Sequence, residues 1–134
     1  MTAFTVGLGC DRGVALATVR EAVQAALALA GAQPGQVVMA ASITIKQDEA
    51  ALLALALEYG WPLVFYPPEK LARVAVPNPS ETVRKYTGTP SVSEAAALLA
   101  AGPTTSMTAL VVEKHKHRGA DGRNATVSIA RIDA

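Results

Sequence analysis

The chain has a single cysteine, Cys10, so no internal disulfide can form and the fold must be held by packing. That usage fits a reducing compartment. Aromatic residues make up only 4% of the chain, so the core must be aliphatic, with alanine-rich helices packed closely. Charge of one sign is also missing. Twelve Lys and Arg stand against eleven Asp and Glu, a net charge of +1, which excludes the global basic field on which nucleic-acid binding rests. No apolar run reaches the roughly 18 residues of a membrane span. Met1-Thr2-Ala3-Phe4-Thr5-Val6 carries no positively charged leader, so a soluble, cytoplasmic protein is expected, with no membrane or nucleic-acid partner. There is no P-loop, no CxxC pair and no Ser-His-Asp order, which removes the familiar phosphoryl-transfer and nucleophilic machines.

What is present is a chain of 134 residues that is 51% hydrophobic, enough for one globular domain over residues 1–134 with its own core. Residues 4–8 alternate as a strand and run into the turn Gly9-Cys10-Asp11-Arg12-Gly13. Leu16, Val19, Val23, Ala26, Leu27 and Ala30 then form a helical stripe that Gly31 closes. The apolar run 37–43 suits a strand covered on both faces. A helix over 47–59 should turn Leu52, Leu53, Ala56 and Leu57 inward and stop at Gly60. A third strand over 61–66 ends at Pro67-Pro68. Ser80 can cap a short helix ending near Gly88. Ser91-Val92-Ser93-Glu94 has the form of a capping box, with Ser91 accepting from the amide three residues on and Glu94 reaching back, ahead of an alanine-rich helix. Strands at 109–113 and 126–131 are joined by a polar loop turning at Asp121-Gly122. The order predicts a three-layer α/β domain with a mixed, mostly parallel sheet of about five strands ending in a hairpin.

Three places offer chemistry. Gly7, Gly9 and Gly13 join a strand to a helix, but their spacing is not that of a dinucleotide fingerprint, and residues 38–41 hold no carboxylate for a ribose. The helix start and Arg12 favour an anion, against the alternative of a plain tight turn. Cys10 there is either a nucleophile activated by the helix dipole or a small buried residue. Ser42, Lys46, Asp48 and Glu49 lie at a strand-to-helix junction, where open α/β sheets bind ligands, although Asp48 and Glu49 also suit plain helix capping. Lys46 opposes the dipole unless it faces an anion. In the charged run 113–118, His115 and His117 make too thin a metal site, and the run reads either as a solvated hairpin arm or as a basic arm for a polycarboxylate.

Taken in order, Gly7-Leu8-Gly9-Cys10-Asp11-Arg12-Gly13, Ser42 with Lys46 and Asp48-Glu49, Pro90-Ser91-Val92-Ser93-Glu94-Ala95-Ala96, Val112-Glu113-Lys114 and Ala125-Thr126-Val127-Ser128-Ile129-Ala130-Arg131 resemble the CobE/CbiG C-terminal family of cobalamin biosynthesis along the whole chain. The resemblance implies a corrinoid or precorrin ligand and other cobalamin-pathway enzymes as partners. Longer members open the δ-lactone of cobalt-precorrin-5A and release acetaldehyde. With no further domains ahead of it, this chain is expected to be of the stand-alone kind, which holds or passes on a corrin intermediate such as hydrogenobyrinic acid. A precorrin is a broad apolar ring edged with carboxylates and needs separate cationic and amide anchors. The candidate ligand-binding residues are Gly9, Cys10, Arg12, Gly13, Ser42, Lys46, Ser91, Val92, Ser93 and Lys114. For the alternative, lactone hydrolysis, Asp48, Glu49 and Glu113 are the candidate bases and Lys46 or Lys114 would polarise the carbonyl. Neither a metal nor another cofactor is expected, and a nucleotide-binding regulator is the third reading.

Overall fold

Alternation along the first strand, β1 (Ala3–Cys10), divides the molecule into layers. Phe4, Val6 and Leu8 point to one side, into a core with Val19 and Val23 of α1 (Leu16–Ala30) and Leu52 and Leu55 of α2 (Ala50–Tyr59). Thr5 and Gly7 face the other side and meet α5 (Val92–Ala101), where the Thr5 hydroxyl donates to the Ala97 carbonyl at 2.7 Å. The computed structural model describes residues 2–132.

The sheet has five strands in the order β3-β2-β1-β5-β4, where β2 is Val37–Ile43, β3 is Leu63–Tyr66, β4 is Leu110–Arg118 and β5 is Asn124–Ile132. β1, β2 and β3 pair parallel, while β5 is antiparallel to both β1 and β4. Four strands therefore run one way and β5 alone opposes them. The three-layer α/β architecture with a mixed sheet and a closing hairpin is as expected.

Gly31 at φ 63° and Gly60 at φ 71° end α1 and α2 in the left-handed conformation that glycine adopts without strain. Helix α2 begins three residues later than its hydrophobic pattern suggests. Thr44–Lys46 first makes a tighter 3-10 turn, and the Glu49 amide donates to the Lys46 carbonyl at 2.9 Å. The buried face consequently carries Ala51, Leu52, Leu55 and Ala56, and Leu53 and Leu57 are exposed rather than inward. Ala15 at the start of α1 has no side-chain acceptor; Asp121 supplies one from the distant hairpin turn, accepting from the Ala15 amide and the Thr18 hydroxyl, both at 2.8 Å.

Two further corrections concern the polar segments. The run 114–118 is strand, not loop: β4 continues to Arg118, so Lys114 sits in mid-strand, and the turn is confined to residues 119–123. Register irregularities on either side of Val112 obscure the alternation. The capping box at α5 does not form. Ser91 caps no amide, and Glu94 turns away from the helix to hold residue 78. Between β3 and α5 lie two short helices, α3 (Pro68–Ala72) and α4 (Glu81–Thr87), the second capped by Ser80 as expected.

Candidate functional site

The parallel strands β1, β2 and β3 end on one edge of the sheet, and α5 runs antiparallel to β1, so its N-terminus reaches the same edge. Gly7 permits this approach: a β-carbon there would overlap the Ser93 carbonyl oxygen and stand 2.7 Å from the Ala97 nitrogen. In an open α/β sheet this edge is where ligands bind.

At the end of β1 the turn is stitched to the start of α2. Arg12 Nη1 donates to Asp48 Oδ1 at 2.8 Å and Nη2 to the Ile45 carbonyl at 2.6 Å. Nη1 is also 2.9 Å from Glu49 Oε2, an ion pair without hydrogen-bond alignment. Glu49 Oε1 accepts from the Gly13 amide at 2.7 Å. The Gly13 amide and Arg12 at this turn are thus met from within the chain by Glu49, a buried acid. Arg12 keeps the Asp48 carboxyl below its usual range, chiefly through their hydrogen bond, and both acids are engaged by Arg12 as structural partners. Arg12 itself remains about half exposed, at 53%, so one side of it is open to a ligand.

Cys10 is half-buried, and burial pushes its thiol up to about 11. The nucleophile reading therefore loses its thiolate at neutral pH. Ser42 is fully buried and donates to the Leu8 carbonyl at 2.6 Å. Ser93 is buried against Ser128, 2.9 Å away, and Ser128 in turn donates to the Glu113 carbonyl. These two serines brace the sheet and α5. Lys46 differs: it is half-buried and its side-chain ammonium makes no hydrogen bond or ion pair among the described residues, while its charge is felt at Cys10 and Asp48.

A second cluster sits where α5 meets β4. Glu94 is fully buried, accepting from the Asn78 backbone amide at 3.2 Å and from Asn78 Nδ2 at 2.6 Å. The same Nδ2 donates to Glu113 Oε1 at 3.0 Å, and Lys114 Nζ donates to the Asn78 carbonyl at 3.2 Å. Thr89 and Ser91, both fully buried, have hydroxyls without a partner among the described residues. Sequence reasoning missed Asn78 entirely and assigned Glu94 only a capping role. The one available signal was Pro77-Asn78-Pro79, two rigid residues around an amide.

His117 Nε2 lies 2.9 Å from Glu21 Oε1 on α1, and no group of three or more His, Cys, Asp or Glu among the described residues could hold a metal ion. No helix among them is long and apolar enough to cross a membrane. A hollow of about 530 Å³ is at the opposite end of α5, lined by Lys70, Arg73, Val74, Leu98, Leu99 and Met107 among others.

Comparison with known proteins agrees with this architecture. The profile of the family described as cobalamin synthesis G C-terminus matches residues 4–130. A cobalt-precorrin-5A hydrolase of Priestia megaterium is 37% identical over 129 residues, 96% of this chain but 32% of the hydrolase. The protein CobE of a Sinorhizobium species is 40% identical over 101 residues, 74% of this chain and 66% of that protein. The chain thus spans about a third of the first relative and just under two thirds of the second. A crystal structure of CobE, a protein from the cobalamin (vitamin B12) biosynthetic pathway, superposes with a TM-score of 0.79 at 30% identity, covering 98% of this chain and 92% of that one. With a family profile matched over nearly its whole length and the same fold in CobE, the chain belongs to the CobE/CbiG C-terminal family of cobalamin biosynthesis proteins.

Proposed function

We propose that the chain binds a corrin-ring intermediate and carries it between enzymes of the pathway, in the cytoplasm, without breaking a bond. Lys46 carries this reading. A half-buried lysine at the carboxyl end of β2, with no ion pair of its own among the described residues, is suited to a carboxylate from outside. Arg12, with its open side, and Lys114, in mid-strand on β4, are the further cationic anchors. The backbone at Gly9, Gly13 and Val92 lines the same edge. The direct test is gel filtration with hydrogenobyrinic acid at micromolar concentration: the pigment should co-migrate with the protein and shift its absorption. Separate elution with an unchanged spectrum would defeat the proposal.

The second reading, hydrolysis of a precorrin lactone, is favoured by the hydrolase relative and by one observation, the paired carboxylates of Glu94 and Glu113 around Asn78. Asp48 and Glu49 are less suited as bases because Arg12 holds both. Incubation with the lactone intermediate and an assay for acetaldehyde separates the two readings. Catalytic release favours the hydrolase, and stoichiometric binding without acetaldehyde favours the carrier.

A further inference from the structure

Between Leu71 and Thr89, both fully buried, no residue from 72 to 88 is buried. Helix α4 lies within this segment and contributes no buried residue. The segment nonetheless lies over an apolar face. Val74, Val76 and Val83, each half-buried, pack on a cluster that includes Ile43 at the end of β2 and Val92 and Ala96 on the first turns of α5. Three half-buried valines are a weak grip for seventeen residues, and segments with so little buried apolar contact open at low free-energy cost.

The remaining hold is polar and centres on one residue, Asn78, with further hydrogen bonds at Ser80 and at Thr87 beside Thr89. Asn78 is itself exposed, yet its amide engages Glu94, its side chain engages both Glu94 and Glu113, and its carbonyl engages Lys114. Pro77 and Pro79 stiffen the backbone on both sides, so these four contacts form or break together. Near the far end, the Ser80 amide donates to the Pro90 carbonyl at 2.9 Å, and Gly88 turns the chain at φ 81°. At the end of the segment the buried Thr89 and Ser91 hydroxyls have no partner among the described residues, an unfavourable arrangement that access to a polar group would relieve.

We propose that residues 72–88 form a strap hinged at Leu71 and Thr89 and latched by Asn78, and that the face it uncovers, Ile43, Val92 and Ala96 with Thr89 and Ser91 at its edge, receives the flat apolar body of the ligand. This rests on the carrier reading and locates its macrocycle. Opening does two things at once. It exposes an apolar floor bordered by Lys46 at the end of β2, and it frees Lys114 from the Asn78 carbonyl to meet a ligand carboxylate. A broad ring edged with carboxylates is the chemistry this floor and these cations fit.

Hydrogen exchange read by mass spectrometry tests it on the intact chain. Peptides within 72–88 should exchange at least tenfold faster than those of β1 and α1. Asn78→Ala should accelerate them a further tenfold or so without changing β1 or α1, and Lys114→Met, which removes one contact of the latch, should do so by a smaller factor. Should Asn78→Ala fail to fold, Lys114→Met carries the comparison. Added hydrogenobyrinic acid should change exchange in 72–88 and bind Asn78→Ala faster than the unaltered protein. If 72–88 exchanges as slowly as β1, or the pigment binds with no change there and at one rate in both proteins, the strap is overturned while the carrier reading stands. If the pigment binds neither protein, the carrier reading falls, and with it the assignment of this face to a macrocycle.

Discussion

Glu94 holds Asn78 by two hydrogen bonds, one to its backbone amide and one to its side-chain amide, although the glutamate is fully buried and the asparagine is exposed. The buried carboxylate is therefore tied to the outer segment rather than to its own helix. Glu94→Ala removes both acceptors and should cost about 1–3 kcal/mol in urea unfolding. Glu113→Ala, at an exposed position, should cost no more than about 0.5 kcal/mol. Equal losses at the two positions would show that Glu94 is not the principal hold.

Gly7 is where β1 and α5 touch through backbone alone. Gly7→Ala sets a methyl against the Ser93 carbonyl and the Ala97 nitrogen, neither of which can rotate away. Overpacking of this kind costs about 1–3 kcal/mol or more. A thermal melt should show a clear loss of stability, and an unchanged midpoint would mean that α5 packs less closely than described.

With its thiol pushed up to about 11, Cys10 should react slowly with iodoacetamide at pH 8, and the rate should rise about tenfold per pH unit between 8 and 10. Burial is the main cause of the shift, and the nearby charge of Lys46 works against it. A rate that levels off near pH 8.5 would identify an ordinary, solvated thiol.

Asp121 caps α1 from the hairpin turn, and its hydrogen bond from the Ala15 amide is the largest cause that holds its carboxyl below the usual range. A depressed folded value means stability that is present above the unfolded carboxyl's titration and lost as pH falls through the folded one. Asp121→Asn should therefore destabilise the protein at pH 7 and leave it less sensitive to acid below about pH 4 than the unaltered chain. Parallel acid-unfolding curves for the two proteins would contradict this.

The elements set by local chemistry were readable from the sequence. Gly31 and Gly60 stop their helices where the hydrophobic stripes end, Ser80 caps α4, and the order of strands and helices predicts three layers. Elements that depend on distant partners were not readable. Ser91 and Glu94 have the spacing of a capping box, but spacing cannot show that Asn78, sixteen residues before Glu94, competes for the carboxylate. The partner that the Gly13 amide takes, Glu49, lies thirty-six residues on. In β4, charges on both faces and two register shifts hid the strand alternation, which put Lys114 at a strand end when it lies in mid-strand.

Absorbance titration of the protein with hydrogenobyrinic acid, for the unaltered chain and for Lys46→Ala, tests the carrier reading most directly. A desolvated charge-assisted contact is worth about 1.5–3 kcal/mol, so loss of Lys46 should weaken binding at least about tenfold. Arg123→Ala should change it little, because Arg123 sits in the exposed hairpin turn with its Nε given to the Arg12 carbonyl at 3.1 Å. Lys70→Ala, at the hollow on the far end of α5, should also leave it unchanged. Full affinity in Lys46→Ala, with the loss appearing in Lys70→Ala instead, would contradict the placement of the ligand at the carboxyl ends of the strands.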